Sequence, residues 1–350
     1  MIFSRHKSSK PDIALGLDLG NSRVKAALVR RRGENYELTG FATRALPVSS
    51  AQPYREAAVR EELQKLVGDL HAGKCRTFVT LSCASAIVCQ TEFPPMPLDE
   101  IKSALKLNSA RYLRRDFSSY YLDAAALQSY EVNAKSADAA RAKILVGGAS
   151  KDDVDACREA LLAAKIKPES IELTAVSVIN SLTIALPEVS QEVVVLVDIG
   201  ARATSINFLH QGVPVMTRIM HFGGSQISDY IAQVLRLEPQ EAEEEKRKMS
   251  EPVRELARTA LSPLAREIRS SLDFFERQHD QHVRRVFACG GTACSTAILE
   301  LLSEAVGLPV ECWNPVAKLN LSGLNGDSPA ALAEGPSLAA ALGAAMARLN

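Results

Sequence analysis

A carboxylate, a glycine and a lysine lie close together near the start of the sequence. In the stretch IALGLDLGNSRVKAALV an apolar run ends at Asp18, a polar turn follows, and a second apolar run contains Lys25. A tight turn aims backbone N–H groups into one concavity, where phosphate oxygens can bind, and glycine permits close approach. A carboxylate holds hydrated Mg²⁺ that bridges to phosphate, and a lysine adds a second cation. The candidate phosphate-site residues are Asp18, Gly20, Asn21, Ser22 and Lys25.

The same pattern occurs a second time. LGLDLGNSRVKAALVR and VVLVDIGARATSINFL each contain a buried strand, Asp-x-Gly, a small polar turn and a return strand. An internal repeat predicts two homologous halves, with the two hairpin tips facing one ligand across a cleft. One hairpin alone is equally compatible with an ordinary polar β-turn, and Lys25 alone with a lysine that reaches water. The second set is Asp198, Gly200, Ala201, Arg202 and Thr204, with Asp18 and Asp198 as the candidate Mg²⁺ ligands.

A glycine pair marks a third candidate element. Gly290 and Gly291, followed by Thr292, lie between a predicted strand and a predicted helix. This arrangement lets a sugar or base lie against the backbone and the helix N-terminus, although many strand-to-helix turns need glycine. Other nucleotide and hydrolase motifs, G-x-x-x-x-G-K-[ST], G-x-G-x-x-G and G-x-S-x-G, are absent from the sequence.

Composition narrows the class of protein. The 350 residues are 47% hydrophobic, enough for a large core or two domains. Lys and Arg total 41, as do Asp and Glu, so no net field attracts nucleic acid or acidic lipid. The seven cysteines form no C-x-x-C pair, which favours reduced thiols over disulfides or zinc. The basic start lacks an apolar h-region, and no uninterrupted run of about 18 apolar residues occurs, so a soluble protein of a reducing compartment is predicted.

Hydrophobic periodicity predicts how the chain is organised. Strands are expected at 13–18, 24–30, 36–44 and 76–81, with a helix over 55–70. From about residue 86, a strand-helix-strand-strand-helix-strand order, ending in the strand ESIELTA, predicts an inserted α+β lobe. Within it, Asp99 is predicted to cap the first helix, and SKDDVDACREALLAAKI is predicted as a capped helix. The predicted division is a basic tail at 1–12, a first-lobe core at 13–84 and 330–350, the inserted subdomain at 85–170, an interlobe connection at 171–190, a second-lobe core at 191–224 and 284–329, and a helical subdomain at 225–283.

These motifs, in this order, resemble the actin-type ATPase superfamily. LDLGNSRVK resembles its first phosphate hairpin, VDIGARATS its second, and FACGGTACS its adenosine loop. The resemblance implies an α/β, actin-like (ribonuclease H-like) two-lobed ATPase fold with duplicated halves and an inserted subdomain. Glu243, Lys246 and Arg247 match the E-x-x-K-R spacing found around adenine in heat-shock relatives, although a solvated helix face explains them equally well.

Longer stretches are similar to the PilM family of type IV pilus assembly. They include FPPMPLDEIKSALKLNSARYL, ILVGGASKDDVDACREALLAAKIKPESIEL and TRIMHFGGSQISDYIAQVLRLEPQEAEEEK. This resemblance implies binding of ATP and Mg²⁺, and a cytoplasmic location peripheral to the inner membrane. It also implies docking of the N-terminal tail of a PilN-like protein in a groove between the first lobe and the inserted lobe. Self-association is left open, and no nucleic-acid partner is expected.

The sequence departs from the family pattern in two places. Thr174 stands where relatives usually have an acidic residue near the attacking water, while Glu172 is expected to point to the opposite side of a strand. Because threonine is not a general base near neutral pH, hydrolysis is expected to be slow or absent, and no catalytic residue is assigned. Arg202 replaces a small residue and could contact phosphate or fill the site. The alternatives are an FtsA-like division filament protein, a small-substrate kinase of the superfamily, and a module whose cleft no longer binds nucleotide.

Overall fold

The computed structural model describes residues 12–46, 57–127, 142–324 and 326–350. The predicted basic tail therefore falls outside the described residues, apart from Asp12. The strands are β1 (Ile13–Leu19), β2 (Arg23–Arg32), β3 (Asn35–Ala45), β4 (Arg76–Leu81), β5 (Ile87–Phe93), β6 (Tyr120–Ala126), β7 (Ala142–Ser150), β8 (Pro168–Leu173), β9 (Val193–Ile199), β10 (Thr204–His210), β11 (Val213–Met220), β12 (Arg285–Cys289) and β13 (Val310–Cys312). The α-helices are α1 (Ala57–Asp69), α2 (Leu98–Leu107), α3 (Ser109–Leu113), α4 (Lys151–Ala163), α5 (Thr174–Ala185), α6 (Gly224–Leu235), α7 (Pro239–Lys248), α8 (Glu251–His279), α9 (Thr296–Val306), α10 (Ser328–Glu334) and α11 (Ala339–Leu349). Short 3₁₀ helices occur at Pro187–Gln191, Thr292–Cys294, Pro315–Lys318, Ser322–Leu324 and Gly335–Leu338.

Two five-stranded sheets repeat one topology. The first-half sheet has the order β3-β2-β1-β4-β8, and the second-half sheet has the order β11-β10-β9-β12-β13. In each sheet the central strand, β1 or β9, is antiparallel to the hairpin partner that follows it and parallel to the strand on its other side. The internal repeat predicted from the two Asp-x-Gly segments is therefore confirmed by the sheet topology.

A separate three-stranded sheet carries α2 and α3. This inserted sheet has the order β5-β7-β6 and is antiparallel throughout. Its core contains Phe93, Ile101, Leu105 and Ile144, which are almost fully buried. It also reaches the second half, because the Gln90 side-chain amide donates to the carbonyl of Pro214 on β11.

The strand that follows the inserted lobe does not belong to it. β8 pairs in parallel with β4 in the first-half sheet, with Leu81 opposite Leu173. The sequence interpretation that placed ESIELTA in the inserted lobe was therefore wrong. Parallel neighbours need a crossover, and α4 supplies it by packing Cys157 and Leu161 into the same core as Leu63 of α1. Local periodicity shows that a strand exists, but it carries no information about which distant strand pairs with it.

The two ends of the inserted sheet meet at a hydrogen-bonded junction, which we call the neck, formed by Ser85, Ser150 and Asp153. Ser85 Oγ accepts from the Ser150 backbone N–H at 3.1 Å and donates to the Asp153 carboxylate. Ser150 is also the N-cap of α4, because its Oγ accepts from the Asp153 N–H at 3.2 Å, which confirms the predicted cap. The cap predicted at Asp99 was wrong, since Pro97 occupies the N-cap and Asp99 lies in the first turn.

The C-terminal helix is the central core element of the first half. The helical segment Ser328–Leu349 is long and apolar enough to cross a membrane by length and composition, with 22 residues and a mean hydropathy of 1.3, but 72% of its most apolar window is buried inside the protein. It packs closely on α5, where a Cβ at Gly343 would lie 1.8 Å from the Ser177 carbonyl oxygen. Only glycine permits this approach. We therefore assign the segment to the core.

Candidate functional site

The first hairpin holds a buried ion pair. Asp18 and Lys25 lie directly opposite each other on β1 and β2, and Lys25 Nζ donates to Asp18 Oδ2 at 2.6 Å. Asp18 is only 3% exposed, and its second oxygen, Oδ1, has no hydrogen-bond partner. Burial alone would lower the pKa of Lys25, but attraction and hydrogen bonding to Asp18, with a contribution from Asp198, leave that pKa above its ordinary value. Lys25 is therefore charged and neutralises one side of Asp18.

The second hairpin brings Asp198 toward this pair. Burial, and then repulsion from Asp18, raise the pKa of Asp198 to about 7, opposed by attraction to Lys25 and by a weak hydrogen bond from Cys289. The Cys289 Sγ to Asp198 Oδ1 distance is 3.9 Å. The charges of Asp18 and Lys25 both act on the Asp198 carboxyl, so the second hairpin lies within electrostatic range of the first. Lys25 thus forms an ion pair with Asp18 and acts on Asp198 only through its charge.

An open cavity lies beside the second hairpin. It encloses about 300 Å³, part of it open to solvent. Thr174, the first residue of α5, lines it together with Asp198, and the Thr174 hydroxyl accepts from Thr80 Oγ1 at 3.0 Å. Glu172 lies elsewhere and accepts from Ser177 Oγ at 2.8 Å. Burial raises the pKa of Glu172 to about 7. The other lining residues are Leu81, Ser82, Cys83, Ala86, Ala175, Ala203, Thr204, Ser205 and Ile219.

The turn of the second hairpin is fastened to the start of α6. The carbonyls of Gly200 and Ala201 accept from the backbone N–H groups of Gly224 and Ser225 at 2.9 and 2.8 Å. Thr204 is fully buried, and its hydroxyl donates to the Phe222 carbonyl at 2.7 Å. Among the predicted residues of this hairpin, Gly200, Ala201 and Thr204 thus have structural contacts in this state, and Arg202 is half-buried in the same turn.

The glycine pair follows β12 and packs against the second hairpin. Gly290 has φ +90°, and a Cβ there would lie 2.5 Å from both Asp198 Oδ1 and the Ile199 carbonyl oxygen. Thr292 Oγ1 donates to the Gly200 carbonyl at 3.2 Å. By contrast, a Cβ on Gly291 would meet no atom within 4 Å. The strand end, the glycine pair and the second hairpin therefore form one packed unit.

The E-x-x-K-R segment is partly buried rather than fully solvated. Lys246 Nζ donates to Glu243 Oε2 at 2.6 Å, to Ser228 Oγ at 2.7 Å and to the Gly224 carbonyl at 3.0 Å. Burial opposes ionisation of Glu243, but hydrogen bonds from Lys246 and Ser228 outweigh it and lower the pKa of that carboxyl. The Arg247 side chain is 61% exposed. Glu243 and Lys246 thus join α7 to the α6 terminus that holds the second hairpin.

Several residues of this neighbourhood were not predicted from the sequence. Gly224, Ser228 and Cys289 contact predicted site residues, and Thr80 orients Thr174. The Gly223-Gly224 pair before an amphipathic helix was an available signal. Ser228, Cys289 and Thr80 lie within regular helices and strands, where sequence alone does not distinguish them from other small buried residues.

The hairpins fit a hydrated Mg²⁺. Asp18 Oδ1 is a buried acceptor with no partner, and Asp198 is a second carboxylate that a cation would keep ionised. Within the described ranges no cluster of three or more His, Cys, Asp or Glu side chains could hold a metal ion by itself. Mg²⁺ is usually held by one or two carboxylates together with waters and phosphates, so these two carboxylates match its requirements.

Comparison with known proteins gives a consistent match. The family described as "Type IV pilus assembly protein PilM" matches residues 16–349. A solved structure of a PilM-PilN type IV pilus biogenesis complex is 25% identical, covers 96% of this chain and 98% of that chain, and has a TM-score of 0.83. The ethanolamine utilization protein EutJ from Carboxydothermus hydrogenoformans is 15% identical, covers 98% of this chain and 92% of its own, and has a TM-score of 0.59. MreB 5 of Spiroplasma citri bound to AMPPNP is 12% identical over 96% of this chain and 95% of its own, with a TM-score of 0.51.

The last two similarities concern the fold alone. Together with the repeated sheets they confirm the expected actin-like ATPase fold. Such a fold is consistent with nucleotide binding in the cleft between the halves.

Proposed function

Because the chain belongs to the type IV pilus assembly protein PilM family, we propose that it is an actin-like, nucleotide-binding scaffold of a type IV pilus inner-membrane complex. The observation that carries this proposal is the similarity to a PilM-PilN complex over 96% of the chain. Membership of this family favours the pilus role over an FtsA-like filament and over a small-substrate kinase.

We propose that the nucleotide is ATP with Mg²⁺, and that the two hairpins hold its phosphates. Asp18 Oδ1 and Asp198 would hold the hydrated Mg²⁺, which neutralises phosphate charge when it is bound. Lys25 would exchange part of its contact with Asp18 for a phosphate oxygen. The turn residues Gly20, Asn21, Ser22, Gly200, Ala201 and Arg202 would line the phosphate groups, while Gly290, Gly291, Thr292, Glu243, Lys246 and Arg247 would surround the adenosine.

Hydrolysis by this site is proposed to be weak. Thr174 lines the cavity beside Asp198 but carries no base, and its hydroxyl is already hydrogen-bonded to Thr80. Glu172 is the nearest carboxylate in sequence, yet it bonds to Ser177 and does not line the cavity. The site is thus built to bind and retain a nucleotide rather than to turn it over.

We propose that the partner is the N-terminal cytoplasmic segment of a PilN-like inner-membrane protein. We place the groove expected for this segment, between the first half and the inserted sheet, where β6 and α4 lie next to each other. Tyr121 of β6 is 49% exposed and Leu162 of α4 is 48% exposed, so this region offers apolar contacts. A partner anchored in the membrane would place the protein on the cytoplasmic side, peripheral to the inner membrane.

The test separates the nucleotide from the partner. ATP affinity is measured by calorimetry for the wild type, for Asp198→Ala and for the double variant Asp18→Asn/Lys25→Met, which avoids leaving a buried charge unpaired. We expect binding by the wild type alone, and equal affinities in all three proteins would contradict the phosphate site. Capture of the partner from membranes with and without ATP then tests docking. Failure to capture a PilN-like protein under either condition would contradict the scaffold role.

A further inference from the structure

A cationic surface on the inserted sheet carries an inference that does not depend on the nucleotide site. The sequence from Ile101 to Arg115 contains five Lys or Arg residues and no Asp or Glu. Acidic residues border this stretch, with Glu100 before it and Asp116 after it, in a chain whose positive and negative side chains both number 41. We call its outer part, Lys106–Arg115, the basic segment.

The inner side of the basic segment packs against the inserted sheet. Tyr112 stacks on Phe93 with ring centroids 4.5 Å apart, and its carbonyl accepts from Thr91 Oγ1 at 3.1 Å. Ser109 is buried, and its hydroxyl accepts from the Phe117 N–H at 2.8 Å. These contacts fix the inner face of α3 on the inserted sheet, so the remaining side chains face outward in a defined arrangement.

Two of the outward-facing arginines lie over aromatic rings, Arg111 over Tyr112 at 5.7 Å and Arg115 over Phe117 at 5.5 Å. Lys102 pairs with Asp123 at 2.7 Å, but within the part of the chain that the structure describes, no ion pair involves the four cations of the basic segment. Arg111 lies in α3, Arg114 is the left-handed C-cap residue of that helix at φ +57°, and Arg115 follows it. The four cations that form no ion pair with any described residue, all exposed, are Lys106, Arg111, Arg114 and Arg115.

An apolar side chain lies among these cations. Leu107 is 86% exposed, although it ends a helix whose inner residues Ile101 and Leu105 are buried. A large apolar side chain beside these cations matches a surface with anionic headgroups outside and acyl chains beneath. An acidic protein or nucleic acid would satisfy the charges, but neither needs a fully projecting leucine.

We propose that the basic segment docks directly on anionic phospholipid headgroups, with the four cations contacting phosphate groups and Leu107 entering the acyl boundary. The protein would then contact the membrane through its own inserted sheet as well as through a membrane partner. Basic residues near an anionic surface contribute by long-range attraction that salt screens, whereas leucine insertion is insensitive to salt.

The experiment uses the full chain and vesicles without any protein partner. Co-sedimentation is measured with vesicles of phosphatidylcholine alone and with equal parts of phosphatidylcholine and phosphatidylglycerol, at low and high salt. We expect binding only to the anionic vesicles, with loss of binding at high salt. Equal sedimentation with both vesicles, or no sedimentation with either, would overturn the proposal and leave an acidic protein or nucleic acid as the ligand.

Variants assign the binding to these residues. Arg111→Gln/Arg114→Gln/Arg115→Gln is expected to weaken binding on the order of 100-fold, since each basic residue near the surface contributes about fivefold. Leu107→Ser is expected to weaken binding about tenfold. The matched control, Arg254→Gln/Arg258→Gln/Arg277→Gln on α8, removes the same charge elsewhere and should bind like the wild type. An equal loss in this control would refute the assignment. Unchanged thermal unfolding would show that the variants fold. If the triple variant does not fold, Leu107→Ser and the salt dependence of wild-type binding still test the segment.

Discussion

Replacing Asp198 with asparagine is expected to stabilise the ligand-free protein at neutral and alkaline pH while it weakens nucleotide binding. Burial and the nearby Asp18 raise the pKa of Asp198 to about 7 from an ordinary value of 3.8. The folded protein therefore keeps this carboxyl protonated over a pH range in which the unfolded chain has lost the proton. The stability that this proton contributes is present at low pH and is lost progressively as the pH rises to about 7.

The magnitude follows from that difference. At about 1.4 kcal/mol per pKa unit, the difference between about 7 and 3.8 sets a ceiling of roughly 4 kcal/mol on the cost of the ionised carboxyl. Asp198 is only partly buried, so a gain of about 1–3 kcal/mol is expected for Asp198→Asn at about pH 8. The gain should shrink toward zero at about pH 4 and stay constant above about pH 7.

The assay is urea unfolding of the wild type and of Asp198→Asn at several pH values from about 4 to 8. Because the amide cannot replace the carboxylate as a Mg²⁺ ligand, ATP affinity should fall in the same variant. A gain that is equal at acid and alkaline pH would show that it arises from packing, not from charge. A variant less stable than the wild type at about pH 8 would refute the reasoning about Asp198 altogether.

Two other perturbations test the contacts around the hairpins. Lys25→Met leaves Asp18 buried without its cation and is expected to lower the free energy of unfolding by about 3–5 kcal/mol, whereas Asp18→Asn/Lys25→Met should recover most of this loss. Chemical denaturation measures both variants. A double variant as unstable as the single one would contradict the buried pair. Gly290→Ala is expected to destabilise the folded protein by about 1–3 kcal/mol, because φ at Gly290 is +90° and the added Cβ would meet Asp198 Oδ1. The Cβ of Gly291→Ala would meet no atom within 4 Å, so this control should stay within about 0.5 kcal/mol of the wild type. Equal thermal stabilities of the two variants would disprove the close packing at Gly290.

The sequence predicted the parts of the fold that depend on local pattern. The two hairpins are recognisable because Asp18 and Asp198 each end an apolar strand before a glycine turn, and both signals lie within a few residues. The partner of β8 was not predictable in this way, since parallel pairing joins Leu81 to Leu173 across the whole inserted lobe. The cap of α2 was misassigned because Asp99 is a good N-cap type, yet the helix begins two residues earlier, after Pro97.

The site shows the same division between local and non-local information. The spacing of Asp18 and Lys25 predicted that they lie across one hairpin, and the structure places Lys25 Nζ 2.6 Å from Asp18 Oδ2. The elevated pKa of Asp198 could not be predicted, because it arises from burial and from a carboxylate 180 positions away in the chain. The contact of Ser228 with Lys246 could not be predicted either, since one serine in an amphipathic helix carries no distinguishing signal.

The neck gives the fold a modular character. Ser85 and Ser150 are hydrogen-bonded to each other, so the first strand and the last strand of the inserted segment, β5 and β7, adjoin the first half at one junction. Beyond that point, β4, α4 and β8 already form a complete crossover without them. Exchange of this segment would leave the ladder that supports Asp18 in place, but it would also have to replace the packing of Val88 and Leu145 against α5. The inserted sheet and the two hairpins could in this way change in sequence independently of each other.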